Sequence, residues 1–268
     1  MLHRFFLLAL TALLAACAQL APPSAAAPRY LLLGEVHDNA EGHRLRVAEL
    51  EKRLAAGWRP ALALEQFDLA QQPQLTVAQT RCGSDAQCIV DTAAGNARWD
   101  WPLYLPLLEL AQRYQLPLLA ANLSRADAGK IVRGGFAAAL DERIIARYQL
   151  DALPADVLAG QIDAVRLGHC NQLPEALLPG MARAQIARDV MMAETLQNAG
   201  RDAVLIAGNG HVRRDIGAVR WLPAGQVETM AWLENAQPPG IVDRQILIAA
   251  SPRDEPCAGV PAAAAAAK

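Results

Sequence analysis

Four apolar runs that break abruptly into polar residues constrain this chain most. "YLLLGEVH" runs into Glu35 and His37, "PALALEQF" into Glu65, "PLLAANLS" into Asn122, and "DAVLIAGNGHV" into Asn209 and His211. Short, nearly continuous apolar runs separated by amphipathic stretches are the pattern of strands buried on both faces, joined by crossover helices. The expected fold class is therefore α/β, with a mostly parallel central sheet flanked by helices. Core strands are expected at 30–36, 60–67, 117–124 and 202–212, and two final strands at 226–234 and 243–251, at a sheet edge. Residues 39–56 read as a helix with an apolar stripe of Leu45, Val47, Ala48, Leu50 and Leu54, begun by an Asp38–Glu41 capping box. Residues 69–115 read as broken helices, and 126–200 as a helical insertion between the third and fourth core strands. His43 falls on the first helix, where a histidine is ordinarily a surface residue.

With 268 residues, 53% of them hydrophobic, the chain can build one large core. A net charge of −2 without a basic run, and only 5% aromatics, argue against a nucleic-acid partner. The first 16 residues read as a signal peptide whose apolar stretch is too short for a comfortable membrane span. "LAAC" resembles a bacterial lipobox with Cys17 as the lipidated residue; the alternative is an ordinary secretory signal cut further on. Ala18 after Cys17, by analogy with bacterial sorting, points to the outer membrane. Residues 17–28 read as a tether, 29–252 as the α/β domain, and 253–268 as a disordered low-complexity tail. Export permits disulfides. Cys82 and Cys88, flanking a short polar loop, are the expected pair, while the sequence leaves a Cys170–Cys257 pair open.

In parallel sheets, ligands gather beyond the carboxyl ends of the strands. Glu35, His37, Glu65 and His211 would meet there, where two imidazoles and two carboxylates can hold a metal ion or do acid–base work. Gly34, Gly208 and Gly210 would allow the tight turns this requires. Arg188 and Asp189, on a helix spanning 181–196, border the same edge and could pair with a carboxylate. His169 sits at a helix break.

"LLLGEVHDN", "ALALEQF", "HCNQLP", "AQIARDVMMAETL" and "AGNGHVRRDIGA", in this order, resemble the ChaN-like haem-binding uptake lipoproteins, within the wider TIKI/TraB/erythromycin-esterase-like superfamily. The resemblance covers most of residues 29–250. It implies an α/β domain on a periplasm-facing outer-membrane lipoprotein that binds haem and serves haem or iron acquisition, with the outer-membrane uptake machinery and a second copy of the chain as possible partners. It also implies an ancestral site matching Glu35, His37, Glu65, Arg188, Asp189 and His211.

Two readings compete. In the first the chain is a lipid-anchored haem carrier, and His37, His169, Arg188 and His211 are the cofactor-binding candidates. Arg188 and Arg213 would face the propionates, and Trp99, Trp101 and Tyr104 form either an aromatic wall or plain core; Tyr148 is a further candidate ligand. In the second, Glu35, His37, Glu65, Arg188 and His211 are the catalytic residues of a peptide or ester hydrolase, with Glu35, His37, Glu65 and His211 holding a divalent metal. A weaker third reading makes the pocket a relic in a structural envelope lipoprotein.

Overall fold

The structure, a computed structural model, describes residues 29–93, 99–254 and 257. The signal peptide, Cys17, the tether and the tail beyond Cys257 lie outside the described residues. Six strands form one sheet: β1 (Tyr30–Glu35), β2 (Ala61–Asp68), β3 (Leu118–Asn122), β4 (Ala203–Gly208), β5 (Val227–Leu233) and β6 (Arg244–Leu247). Every pairing is parallel and the order is β3-β2-β4-β1-β5-β6. The four apolar runs are β1 and β4 at its centre, β2 beside β4, and β3 at one edge. Of the two late strands, only β6 is an edge; β5 pairs with β1.

Side chains alternate across a strand, and both faces of this sheet are covered. Leu31 and Leu33 of β1, Leu62 and Leu64 of β2 and Val204 and Ile206 of β4 join one core. That core includes Leu50 and Leu54 of α1 (Ala40–Ala55), Leu75 of α2 (Gln72–Arg81), Ile89 of α3 (Ala86–Thr92) and Leu107 of α4 (Leu105–Arg113). Leu32, Ala63 and Leu205 point the other way, onto Met192 and Leu196 of α8 (Leu178–Asn198). The helical insertion also contains α5 (Arg125–Gly134), α6 (Glu142–Arg147) and α7 (Ala155–Gly168), and builds its own core against α8.

Two features of α1 differ from the sequence reading. Its N-cap is Asn39, whose side chain accepts from the Gly42 N–H, so Asp38 and Glu41 form no capping box. Its buried face is Gly42, His43, Arg46, Leu50 and Leu54, whereas Ala48 is exposed and Leu45 and Val47 are half-buried. His43 and Arg46 are therefore interior residues. Cys82 and Cys88 are joined, and so are Cys170 and Cys257. Residues at the start of the expected tail are anchored: Arg253 pairs with Asp38 and Glu234.

Candidate functional site

The chain leaves β1 towards β2 on one side of β4, and leaves β4 towards β5 on the other side of β1. The carboxyl ends of β1 and β4 thus flank a switch point, where open α/β sheets bind ligands. Close packing makes this crossing possible. A Cβ on Gly34 would stand 2.4 Å from the Asn209 side-chain oxygen and 2.6 Å from Val212.

Register decides which side chains meet there. Leu33 is level with Ile206, and Ile206 with Leu64. Two residues on, Glu35 and Gln66 point to the α1 face, while Glu65 points to the α8 face. The two glutamates expected to share one ion therefore serve separate networks.

On the α1 face, the buried Glu35 carboxylate is fully engaged. Its Oε1 accepts from the Tyr104 hydroxyl at 2.5 Å, His37 Nδ1 at 2.9 Å and Gln66 Nε2 at 3.2 Å. Its Oε2 pairs with Arg46, which is wholly buried. Burial pulls the Arg46 guanidinium down to about 10. Arg46 also donates to His43 Nδ1 at 2.9 Å, and His43 Nε2 donates to the His37 carbonyl at 3.0 Å. Burial pushes both His43 and His37 below the ordinary imidazole range.

On the α8 face, Glu65 accepts from the Gly208 N–H at 2.7 Å and lies 3.6 Å from His211 Nε2. His211 Nδ1 is 2.7 Å from Asp189, which also accepts from Gln161 of α7 at 2.9 Å. Burial alone would lower the His211 pKa, but Glu65 and Asp189 outweigh it and raise it to about 9. Burial lifts the Asp189 carboxyl to about 6 against the pull of His211. Burial also works to raise Glu65, yet His211, His37, the Gly208 N–H and Arg188 together hold it below the usual range. His211 is thus an imidazolium between two carboxylates.

Two connected hollows open here. The outer cleft, about 750 Å³, has walls of Val36, Ala164, Val165 and Ile216 and presents His37, His169 and, shared with the inner hollow, His211. Arg213 and Arg253 also line it, paired with Asp215 and with Asp38 and Glu234 respectively. The inner hollow, about 320 Å³, is lined by His37, Glu65, Trp99, Asn122, Arg188 and His211. Arg188 donates to Asn122 and to the Leu123 carbonyl, so it belongs to the inner hollow rather than the cleft. Trp99 stands edge-on to His37 with ring centroids 5.0 Å apart, while Tyr104 is core. Tyr148 lies away from both hollows, bonded to Glu194.

The expected metal set does not form. Among the described residues, no group of three or more His, Cys, Asp or Glu is placed to hold a metal ion. Glu35 spends its oxygens on Arg46 and Tyr104, and His211 turns both ring nitrogens towards carboxylates. The sequence reading missed Arg46, His43 and Gln161. The signal available for the first two was their three- and four-residue spacing with Leu50 and Leu54.

No curated protein sequence matches the chain. Among solved structures, a ChaN of Campylobacter jejuni described by its cofacial haem binding superposes with a TM-score of 0.68 at 21% identity, covering 81% of this chain and 86% of that one. A Bacillus cereus protein gives a TM-score of 0.43 at 11% identity over 76% of this chain and 65% of its own. An erythromycin esterase EreC mutant gives 0.42 at 14% identity over 76% and 70%. The family model described as haem-binding uptake, Tiki superfamily, ChaN matches residues 23–222, and the chain belongs to that family.

Proposed function

We propose that this protein binds haem in the outer cleft. The observation that carries the reading is that two of the three imidazoles lining it, those of His37 and His169, turn Nδ1 inward to a protein acceptor. His37 Nδ1 faces Glu35 at 2.9 Å and His169 Nδ1 faces the Val165 carbonyl at 2.8 Å. Metal-binding histidines almost always make such an inward bond, which fixes the ring and leaves Nε2 for the ligand. The cleft volume lies within the range of small-molecule sites. Its wall is apolar along α7, and among the described residues lining it, histidine is the only type that ligates haem iron. A bound haem supplies an iron that accepts an imidazole lone pair. The side chains supply the rest: Val36, Ala164, Val165 and Ile216 exclude water from a flat apolar ligand, and Arg213 and Arg253 place positive charge beside carboxylates.

The test is an absorbance titration of the chain lacking residues 1–17 with ferric haem, beside Ala164→Trp, which fills the cleft. Saturable uptake by the wild type, weakened in the variant, supports the reading; no uptake at micromolar haem, or equal uptake by both, refutes it. The lipobox supports a finer reading, a lipid-anchored protein on the periplasmic face of the outer membrane that serves haem or iron acquisition. Acyl-chain detection by mass spectrometry, lost in Cys17→Ala, tests the anchor.

One observation favours a second activity. In the inner hollow, the His211 imidazolium stands beside the Glu65 carboxylate, an acid and a base next to the Arg188 donors. That set suits hydrolysis of an ester or amide without a metal, Glu65 accepting a proton from water and His211 giving one to the leaving group. Turnover across ester and peptide panels that vanishes in Glu65→Gln supports it; no turnover in the wild type removes it.

A further inference from the structure

Three hydrogen bonds and one ion pair form a closed ring beneath His37. Arg46 donates to His43 Nδ1, His43 Nε2 reaches the His37 carbonyl, His37 Nδ1 reaches Glu35, and Glu35 pairs with Arg46. The direction of each bond follows from chemistry alone. A guanidinium has donors and no acceptor, so His43 Nδ1 must carry the lone pair and His43 Nε2 the proton. That proton meets a carbonyl, which can only accept. The Glu35 carboxylate, held against the guanidinium, likewise only accepts, so His37 Nδ1 must carry the proton.

We infer that Arg46 is a positioning residue: acting through Glu35 and His43, it fixes His37 as the neutral imidazole tautomer whose bare Nε2 faces the cleft. Arg46 is wholly buried on α1 and touches no cleft surface, so its effect reaches the ligand only through these partners. Both handles on His37 are occupied, the ring by Glu35 and the backbone by His43. The bare nitrogen has room because residue 208 is glycine: a Cβ there would stand 2.9 Å from His37 Nε2. The Tyr104 hydroxyl and the Gln66 amide brace the same Glu35 oxygen from the core side. The inference rests on the haem reading only in naming iron as the group that takes Nε2; the tautomer belongs to the ligand-free chain.

Glu35→Gln reverses the roles at His37. A glutamine must turn its carbonyl oxygen to Arg46, which cannot accept, and so offers its NH₂ to the Tyr104 hydroxyl and His37 Nδ1, which can. His37 then becomes an acceptor at Nδ1 and carries its proton on Nε2, the atom a metal needs bare.

The experiment is ¹⁵N NMR of imidazole nitrogens in the ligand-free protein with labelled histidine. Opposite tautomers are expected, Nδ1–H for His37 and Nε2–H for His43. Glu35→Gln is expected to switch His37 to Nε2–H and to weaken haem uptake roughly 10- to 100-fold, the usual scale for loss of an outer-shell partner. Tyr104→Phe, which leaves the ring intact, keeps the wild-type tautomers. A wild-type His37 bearing its proton on Nε2 overturns the inference, and this spectrum decides even if Glu35→Gln does not fold. Correct tautomers with no haem uptake leave the inference standing and sink the haem reading; haem uptake with the wrong tautomer does the reverse.

Discussion

Replacing His211 with glutamine changes stability in a manner that depends on pH, and the structure fixes the sign. The folded pKa is raised from 6.5 to about 9 because Glu65 and Asp189 both face the ring. At pH 6 both the folded and the unfolded chain hold the proton, and the stabilisation is fully present. Between pH 6.5 and about 9 the unfolded chain releases the proton first, so the contribution declines as pH rises, and above 9 it is gone. A rise of that size corresponds to about 3 kcal/mol at about 1.36 kcal/mol per unit. Part of it is offset by the cost of keeping Asp189, lifted to about 6 by burial, ionised beside the ring. A net of about 1–3 kcal/mol is expected. Urea unfolding followed by tryptophan fluorescence at pH 6, 7, 8 and 9 gives the difference between wild type and His211→Gln, provided the urea slopes agree. That difference should be largest at pH 6 and shrink steadily to pH 9. A difference that stays constant across the range would show that His211 is neutral in the fold and that the two carboxylates do not hold a cation.

Three further substitutions probe the rest of the site. Arg46→Met strands the buried Glu35 carboxylate and should cost about 3–5 kcal/mol. In a domain of this size that lowers the Tm by roughly 6–20 °C in calorimetry; a loss under about 1 kcal/mol would mean the pair is not buried as described. Gly34→Ala drives a methyl group into Asn209 and Val212 and should cost about 1–3 kcal/mol or more by denaturation. Gly208→Ala presses on the half-exposed His37 ring, with Glu65 at ordinary contact distance, so unfolding should change by less than about 1 kcal/mol. Haem uptake, read by absorbance, should fall in the same variant because the ring is displaced.

The sheet was legible because strands buried on both faces carry nearly unbroken apolar runs, and its four most constrained strands announce themselves that way. Strand order was not legible: nothing in "QVETMAWLE" says that it lies beside β1 while "DRQILIAAS" takes the edge. The candidate residues were found by the same signal, polar groups at strand ends. Their grouping was not, because convergence depends on register. Gln66 bonds Glu35 on the α1 face, whereas its neighbour Glu65 reaches His211 on the α8 face, past a register shift that follows Leu64. Arg46 and His43 were hidden by a different rule. Polar residues on a helix read as its wet side, yet here they continue the row of Leu50 and Leu54 and carry charge into the interior, where Glu35 meets it. Cys170 and Cys257 meet across 87 residues, a separation at which only the folded chain reveals the pair.

We propose that, of the two imidazoles, His37 takes haem iron through Nε2. Electron paramagnetic resonance of the ferric haem complex, recorded for wild type, His37→Ala and His169→Ala, tests it most directly. A nitrogen-ligated signal in wild type should be lost in His37→Ala and survive in His169→Ala. A signal unchanged in His37→Ala, or lost only in His169→Ala, would contradict it.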